Sequence, residues 1–207
     1  METAIVGRRK LTGSRNGKQG GFSLIEVMIS MVVLTVGLVS LLGVFGLAMA
    51  TTQTAQQDLI AKELANEAYE SIITARNTSQ INWDQLQNSG SLNCPLSGVT
   101  PCGIFLSGAQ PMYNSGNDGI YGTSDDTTSG TRQTLRDPGP DGIFGTTDDV
   151  FIPLIGYQRT IQISPVLDSL GNPQPSIRSV TITLQYTTPQ MRTQKNYVLN
   201  SYISEFQ

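Results

Sequence analysis

Residues 27–57 carry no charged side chain, and residues 27–50 are dominated by Val, Leu, Ile, Met, Phe, Gly and Ala. An α-helix needs about 20 such residues to cross a bilayer core, so the pattern predicts a membrane-spanning helix over residues 22–50. Beyond Ala50 the chain turns polar but keeps a helical period. Ile60, Leu64, Ala68 and Ile72 recur every four residues, flanked by Ala61, Ala65, Tyr69 and Ile73. These form one broad apolar stripe, with Asp58, Lys62, Glu63, Asn66, Glu67 and Glu70 mostly elsewhere and Leu59 off it. No proline precedes Pro95, so one helix is expected over residues 22–76, roughly 80 Å long at 1.5 Å per residue. Its stripe is the expected seat of a globular head.

From residue 77 the composition shifts to Asn, Ser, Gly, Thr and Pro, and residues 77–150 read as a long connection without period. Strand-like runs follow at 155–164, 177–187 and 196–204. In the middle one Val180, Ile182, Leu184 and Tyr186 alternate with Ser179, Thr181, Thr183 and Gln185. Turns are expected at 165–175 and 188–194. The predicted class is α+β, a long N-terminal helix packed against an antiparallel sheet of three or more strands. The expected organisation is a leader, 1–21, the helix, 22–76, and a head, 77–207, comprising the loop 77–150 and the sheet 151–207.

Charge refines this picture. The first 21 residues hold five bases and one acid, a net +4, whereas the remaining 186 hold eight bases and 15 acids, a net −7. A basic front stays cytoplasmic, which places the C-terminal bulk outside the membrane. An acidic head does not favour nucleic acid, since phosphate contacts need Lys and Arg. Its bases Arg132, Arg136, Arg159, Arg178, Arg192 and Lys195 are scattered. Histidine is absent, which removes His-based triads, most zinc sites and the commonest general base. The chain is read as non-enzymatic. Cys94 and Cys102 suit a disulfide in an oxidising compartment, closing a nine-residue loop worth ~2–3 kcal/mol.

Glu26 does not fit a plain membrane anchor, because a carboxylate in hydrocarbon costs at least a few kcal/mol unless it reaches the interface or a partner. The stretch Lys18-Gln19-Gly20-Gly21-Phe22-Ser23-Leu24-Ile25-Glu26-Val27-Met28 resembles the class III signal of type IV prepilins and pseudopilins: a basic leader ending in Gly, then Phe, Glu four residues on, and a long apolar helix. The resemblance implies the pilin fold, cleavage between Gly21 and Phe22 by a prepilin peptidase, and N-methylation of Phe22 by the same enzyme. It implies that Glu26 meets the positive N-terminus of a neighbouring subunit. The implied partners are other pilin subunits, an inner-membrane assembly platform, and lipid before assembly. The implied location is the inner membrane, single-pass with a cytoplasmic N-terminus, then a periplasmic or cell-surface filament. Major pilins commonly carry a proline where this chain has Gly43. A rival reading takes Ala48-Met49-Ala50 as an ordinary signal-peptidase site releasing a soluble protein from Thr51, although the apolar run exceeds the usual 7–15 residues.

Residues 117–126, Asn-Asp-Gly-Ile-Tyr-Gly-Thr-Ser-Asp-Asp, recur 23 positions later as Pro-Asp-Gly-Ile-Phe-Gly-Thr-Thr-Asp-Asp, with seven of ten identical. Carboxylates so dense repel unless solvated or bridged by a cation, and glycines let oxygen ligands converge as Ca²⁺ requires. The spacing is not that of an EF-hand. It resembles the calcium loop of type II secretion major pseudopilins, which implies Asp118, Asp125 and Asp126 as ligands and Asp141, Asp148 and Asp149 as their counterparts. Two Asp-Gly turns stabilised by their own carboxylates are the alternative. Ile120, Tyr121, Ile143 and Phe144 read as apolar plugs anchoring the loops. The leader and closing strands look most like PilV-type minor pilins. The expected function is thus a filament subunit, with a type II secretion pseudopilin, or a pilin head binding DNA or another ligand, as alternatives.

Overall fold

A single helix, α1 (Leu24–Asn77), takes up 54 residues. The computed structural model describes residues 20–90, 102–188 and 193–206. The leader up to Gln19, Cys94 and Arg192 lie outside the described residues. The chain divides into two units, Met1–Ala48 and Met49–Gln207.

In the first unit α1 is long and apolar enough to cross a membrane, and its large hydrophobic side chains stand exposed. Its few polar side chains look inward along the helix. Ser30, Thr35 and Ser40 each donate to a carbonyl three or four residues back, at 2.8 Å. That removes unmet donors from a segment suited to lipid. The helix continues through Gly37, Gly43 and Gly46 without a break.

In the second unit α1 buries Ala61, Leu64, Ala65, Ala68, Ile72 and Ala75, while Ile60, Tyr69 and Ile73 are half-buried against the same core and Leu59 is exposed. This is the stripe expected from the sequence. Its alanines let the sheet approach closely, and each fully buried Leu or Ile contributes ~1.5–3 kcal/mol. The helix ends in a Schellman motif. Gln80 N–H donates to Ala75 O at 2.9 Å and Ser79 N–H to Arg76 O at 3.0 Å. Ser79 adopts φ 59°, where glycine is the usual occupant.

Four strands form the main antiparallel sheet in the order β1 (Gln110–Pro111), β4 (Tyr157–Leu167), β5 (Pro173–Thr187), β6 (Gln194–Ser204). Ile161 and Ile163 of β4, Val180, Ile182 and Leu184 of β5, and Ile203 of β6 face the helix stripe and close the core with Phe105, Met112 and Ile120. Side chains tie the sheet to α1: Tyr186 Oη donates to Asp58, Lys195 pairs with Asp58 at 3.3 Å, and Ser201 Oγ donates to Tyr69 Oη at 2.7 Å. The Tyr186 hydrogen bond, with Lys195 beside it, holds Asp58 below the usual carboxylate range against some burial.

The expected loop 77–150 holds several elements. A 3-10 turn (Trp83–Gln85), β1, a short helix α2 (Ser124–Ser129) and strand β2 (Thr134–Asp137) all lie in it, and β2 pairs with β3 (Val150–Pro153) as a separate two-stranded sheet. Asn88 also serves the main sheet. Its side-chain amide donates to Ile161 O and accepts from Ile163 N–H, both at 2.7 Å, so it occupies the edge of β4 as a neighbouring strand would. Cys102 is disulfide-bonded, and its sulfur accepts from Gln87 Nε2 at 3.0 Å.

The turn expected at 165–175 is shorter. β4 runs on past Pro165 to Leu167 and β5 starts at Pro173, with a register break between Pro165 and Val166 that absorbs the proline. The turn itself is organised by Asp168, whose carboxylate accepts from Leu170 N–H and Asn172 N–H at 2.8 Å.

Candidate assembly and cation sites

The N-terminal site is simple. Gly20 and Gly21 have open space where a side chain would stand, and Phe22 is 82% exposed. Ser23 O accepts the N–H of Glu26 at 2.9 Å and of Val27 at 3.2 Å, opening the helix. Glu26 therefore sits in the first turn, where the helix dipole favours a carboxylate. Gly21 and Phe22 are thus an exposed dipeptide, followed by one acid at the head of a helix whose residues 27–57 are uncharged.

The repeated segments fold as the same turn twice. Asp118 Oδ1 accepts from Ile120 N–H at 2.8 Å, and Asp141 Oδ1 accepts from Ile143 N–H at 2.8 Å. Asp125 Oδ2 accepts from Asp118 N–H at 3.2 Å, and Asp148 Oδ2 from Asp141 N–H at 3.3 Å. Asp126 Oδ2 accepts from Gly122 N–H at 2.6 Å, and Asp149 Oδ2 from Gly145 N–H at 2.8 Å. Gly122 and Gly145 take φ of 89° and 100°, which only glycine adopts cheaply. Each carboxylate therefore organises its own turn.

Surroundings then separate the copies. In the first, Ile120 is 2% exposed in the core, and Tyr121 is held to α1 by its N–H to Ser71 Oγ (3.3 Å) and its hydroxyl to Glu67 (2.6 Å). Burial and the Glu67 carboxylate push the Tyr121 hydroxyl up to about 12. In the second, Ile143 and Phe144 are 60% and 63% exposed. Asp118, Asp125 and Asp126 bring carboxylate oxygens within 4.8 Å of one another, and among the described residues Asp141, Asp148 and Asp149 form no second group of this kind. Asp149 is instead paired with Arg136.

Burial perturbs the carboxylates of the first copy. Burial pushes Asp118 above the usual carboxylate range despite the bonds from Ile120 and Thr123. Burial also raises Asp126 against the Gly122 and Gly116 N–H groups and the Arg159 charge. Asp125 is partly desolvated too, yet the Thr123 hydroxyl and backbone N–H groups hold it below that range.

Residues 16–42 match the family model of the prokaryotic N-terminal methylation motif. The chain carries a type IV pilin-like N-terminus. No curated protein and no solved structure matches the chain. The motif supports a type IV pilin-like protein, and its family is structural rather than enzymatic. It implies assembly with other pilins and processing by prepilin peptidase. With the apolar helix, it fits membrane anchoring before assembly and a surface filament afterwards.

In this pilin-like chain some of the head's bases, scattered in sequence, pack against aromatic rings, and Arg159 turns inward. Arg159 is buried on β4, 4.3 Å from the Tyr121 ring centroid, and burial lowers its pKa against the pull of Asp126, Tyr121 and Glu67. Arg178 stacks on Trp83 at 4.5 Å and donates to Trp83 O and Leu86 O. Arg132 lies over Tyr113 at 4.9 Å. Position in sequence gave no sign that Arg159 neighbours the aspartates. Only its inward register on β4, shared with Ile161 and Ile163, carries that signal.

Proposed function

We propose that the chain is a structural subunit, minor pilin or pseudopilin, of a type IV pilus-like filament. It is cut after Gly21, methylated on Phe22 and assembled through α1. One observation carries this reading: Glu26 stands at the opening of a helix whose next 31 residues, 27–57, are uncharged and whose apolar side chains are uncovered up to Met49. A lone acid there is tolerable when a second chain brings the opposite charge, and the Phe22 amine is that charge. Burying both together is cheaper than burying either alone and selects register. Intact mass and terminal peptide mapping of the mature protein test it. An N-methylated Phe22 is expected, and a start at Thr51 would overturn the reading.

We further propose one Ca²⁺ in the head, at Asp118, Asp125 and Asp126. The donor set fits a hard cation: three carboxylates converge, two of them raised by burial, while hydrogen bonds to turn N–H groups leave further lone pairs on their oxygens. The ion would neutralise carboxylate charge that Arg159 offsets only at Asp126 in part. In the second copy Arg136 pairs with Asp149, which supports placing the ion in the first. Thermal melts of residues 51–207 in millimolar calcium and in chelator decide the matter, and coincident curves would reduce the aspartates to turn formers.

A further inference from the structure

The two copies of the turn differ in one respect that bears on assembly. The first copy seats its apolar pair on α1 of its own chain, beside Glu67 and Ser71. The second has the same internal hydrogen bonds and an apolar pair of its own, Ile143 and Phe144, but no seat among the described residues. The strands that carry it are uncovered as well, with Val150, Phe151 and Ile152 of β3 between 45% and 58% exposed. Apolar surface of this extent, held on a hydrogen-bonded turn, marks an interaction surface.

The same unit also offers a seat without a plug. A groove of about 380 Å³ runs between α1 at Gln53, Gln56 and Ile60 and the residues Leu135, Ile152 and Ile155, with no charged residue in its lining. Like the seat of the first copy, it pairs a polar-rimmed stretch of α1 with apolar side chains. Its helix wall begins four residues after Met49, the last large hydrophobic of the uncovered run. On the filament reading, on which this inference rests, that run meets other subunits, so the groove continues the same contact along the helix.

We infer that Ile143 and Phe144 of one copy enter this groove on a second copy of the chain. Plug and groove are different patches, so the contact is heterologous. Each copy that donates a plug still presents a groove, and such contacts grow into open head-to-tail assemblies rather than closed pairs. The uncharged lining suits a neutral Ile–Phe pair.

Cysteine pairing in the full-length chain, in its native membrane, tests this. A disulfide needs Cβ atoms about 3.5–4.5 Å apart, so cross-linking reads docking directly. The double variant Gln56→Cys/Phe144→Cys should give a reducible ladder of dimers, trimers and higher species. A mixture of the two single variants should stop at dimers, and either single variant alone should give none. Dimers from Phe144→Cys alone, or a conjugate with the mass of a different protein, would overturn the assignment. So would the lack of a ladder from protein whose Phe22 terminus is mature. A ladder from unprocessed chain would keep the contact and sink the filament reading instead, while an unprocessed chain without a ladder would sink both. As a second measure, Phe144→Ser should leave the melting temperature within about 2 °C and cut filament incorporation about tenfold or more, with Phe144→Leu restoring it. Normal incorporation of Phe144→Ser would also overturn the contact.

Discussion

Ile120 and Ile143 occupy equivalent places in two copies of one turn, and their substitution by alanine isolates what the surroundings contribute. Both backbone N–H groups donate to an aspartate at 2.8 Å, so any loss within the turn is shared. Ile120 is 2% exposed and Ile143 60%. Truncating a buried isoleucine to alanine removes its transfer energy and leaves a cavity, about 2–5 kcal/mol, whereas an exposed one stays within about 0.5 kcal/mol. For a unit of this size each kcal/mol moves the melting temperature by about 2–4 °C. Ile120→Ala should therefore melt roughly 5–15 °C below wild type, and Ile143→Ala within about 2 °C of it. Calorimetry of residues 51–207 at fixed calcium measures both. Equal shifts would refute the claim that only the first copy belongs to the core.

Other perturbations report on other parts of the chain. Glu26→Ala should still be cut after Gly21 but enter filaments at least about tenfold less well, because stranding one partner of a buried pair costs about 3–5 kcal/mol; filament fractions of unchanged composition would sink that role. Calcium at about 100-fold its Kd should stabilise the head by about 2.7 kcal/mol, or about 5–10 °C. Ionising Asp118 and Asp126, whose folded pKa values are raised, costs stability above those values, and protonation relieves the cost as pH falls through them. The calcium-induced gain should be full at neutral pH and fade while still above the ordinary Asp value of about 3.9; a gain that persists undiminished below that value would refute the assignment. Asn88→Ala strands the Ile163 N–H and Ile161 carbonyl at the β4 edge, for about 1–3 kcal/mol. Amide exchange at Ile163 should accelerate, and unchanged protection there would show that Asn88 is not its partner.

The helix, its stripe and the last three strands were legible in the sequence because burial on one face leaves a period of 3.6 or 2. Leu59 could be placed outside the stripe on that ground alone. β2 and β3 were not legible: both faces are exposed, so Thr-Leu-Arg-Asp and Val-Phe-Ile-Pro carry no alternation. Residues 165–175 read as a turn, yet the strands admit Pro165 at a register break and Pro173 at a strand end. The aspartates were found by repetition, which identified the turn but could not separate its copies. That difference comes from Glu67 and Ser71 on α1 and from Arg136 and Arg159, contacts set by the tertiary fold.

The Asn88 amide has a consequence for the protein before it is assembled. A sheet with two bare edges can add strands from one molecule to the next without end, the route to cross-β aggregates. Here one border is closed by β1 and a single side chain, leaving β6 as the border of the main sheet without a partner strand among the described residues. A sheet that exposes one such border can pair there once and then has no second border to offer. The head can thus stay concentrated at a membrane while its growth remains under the control of other contacts.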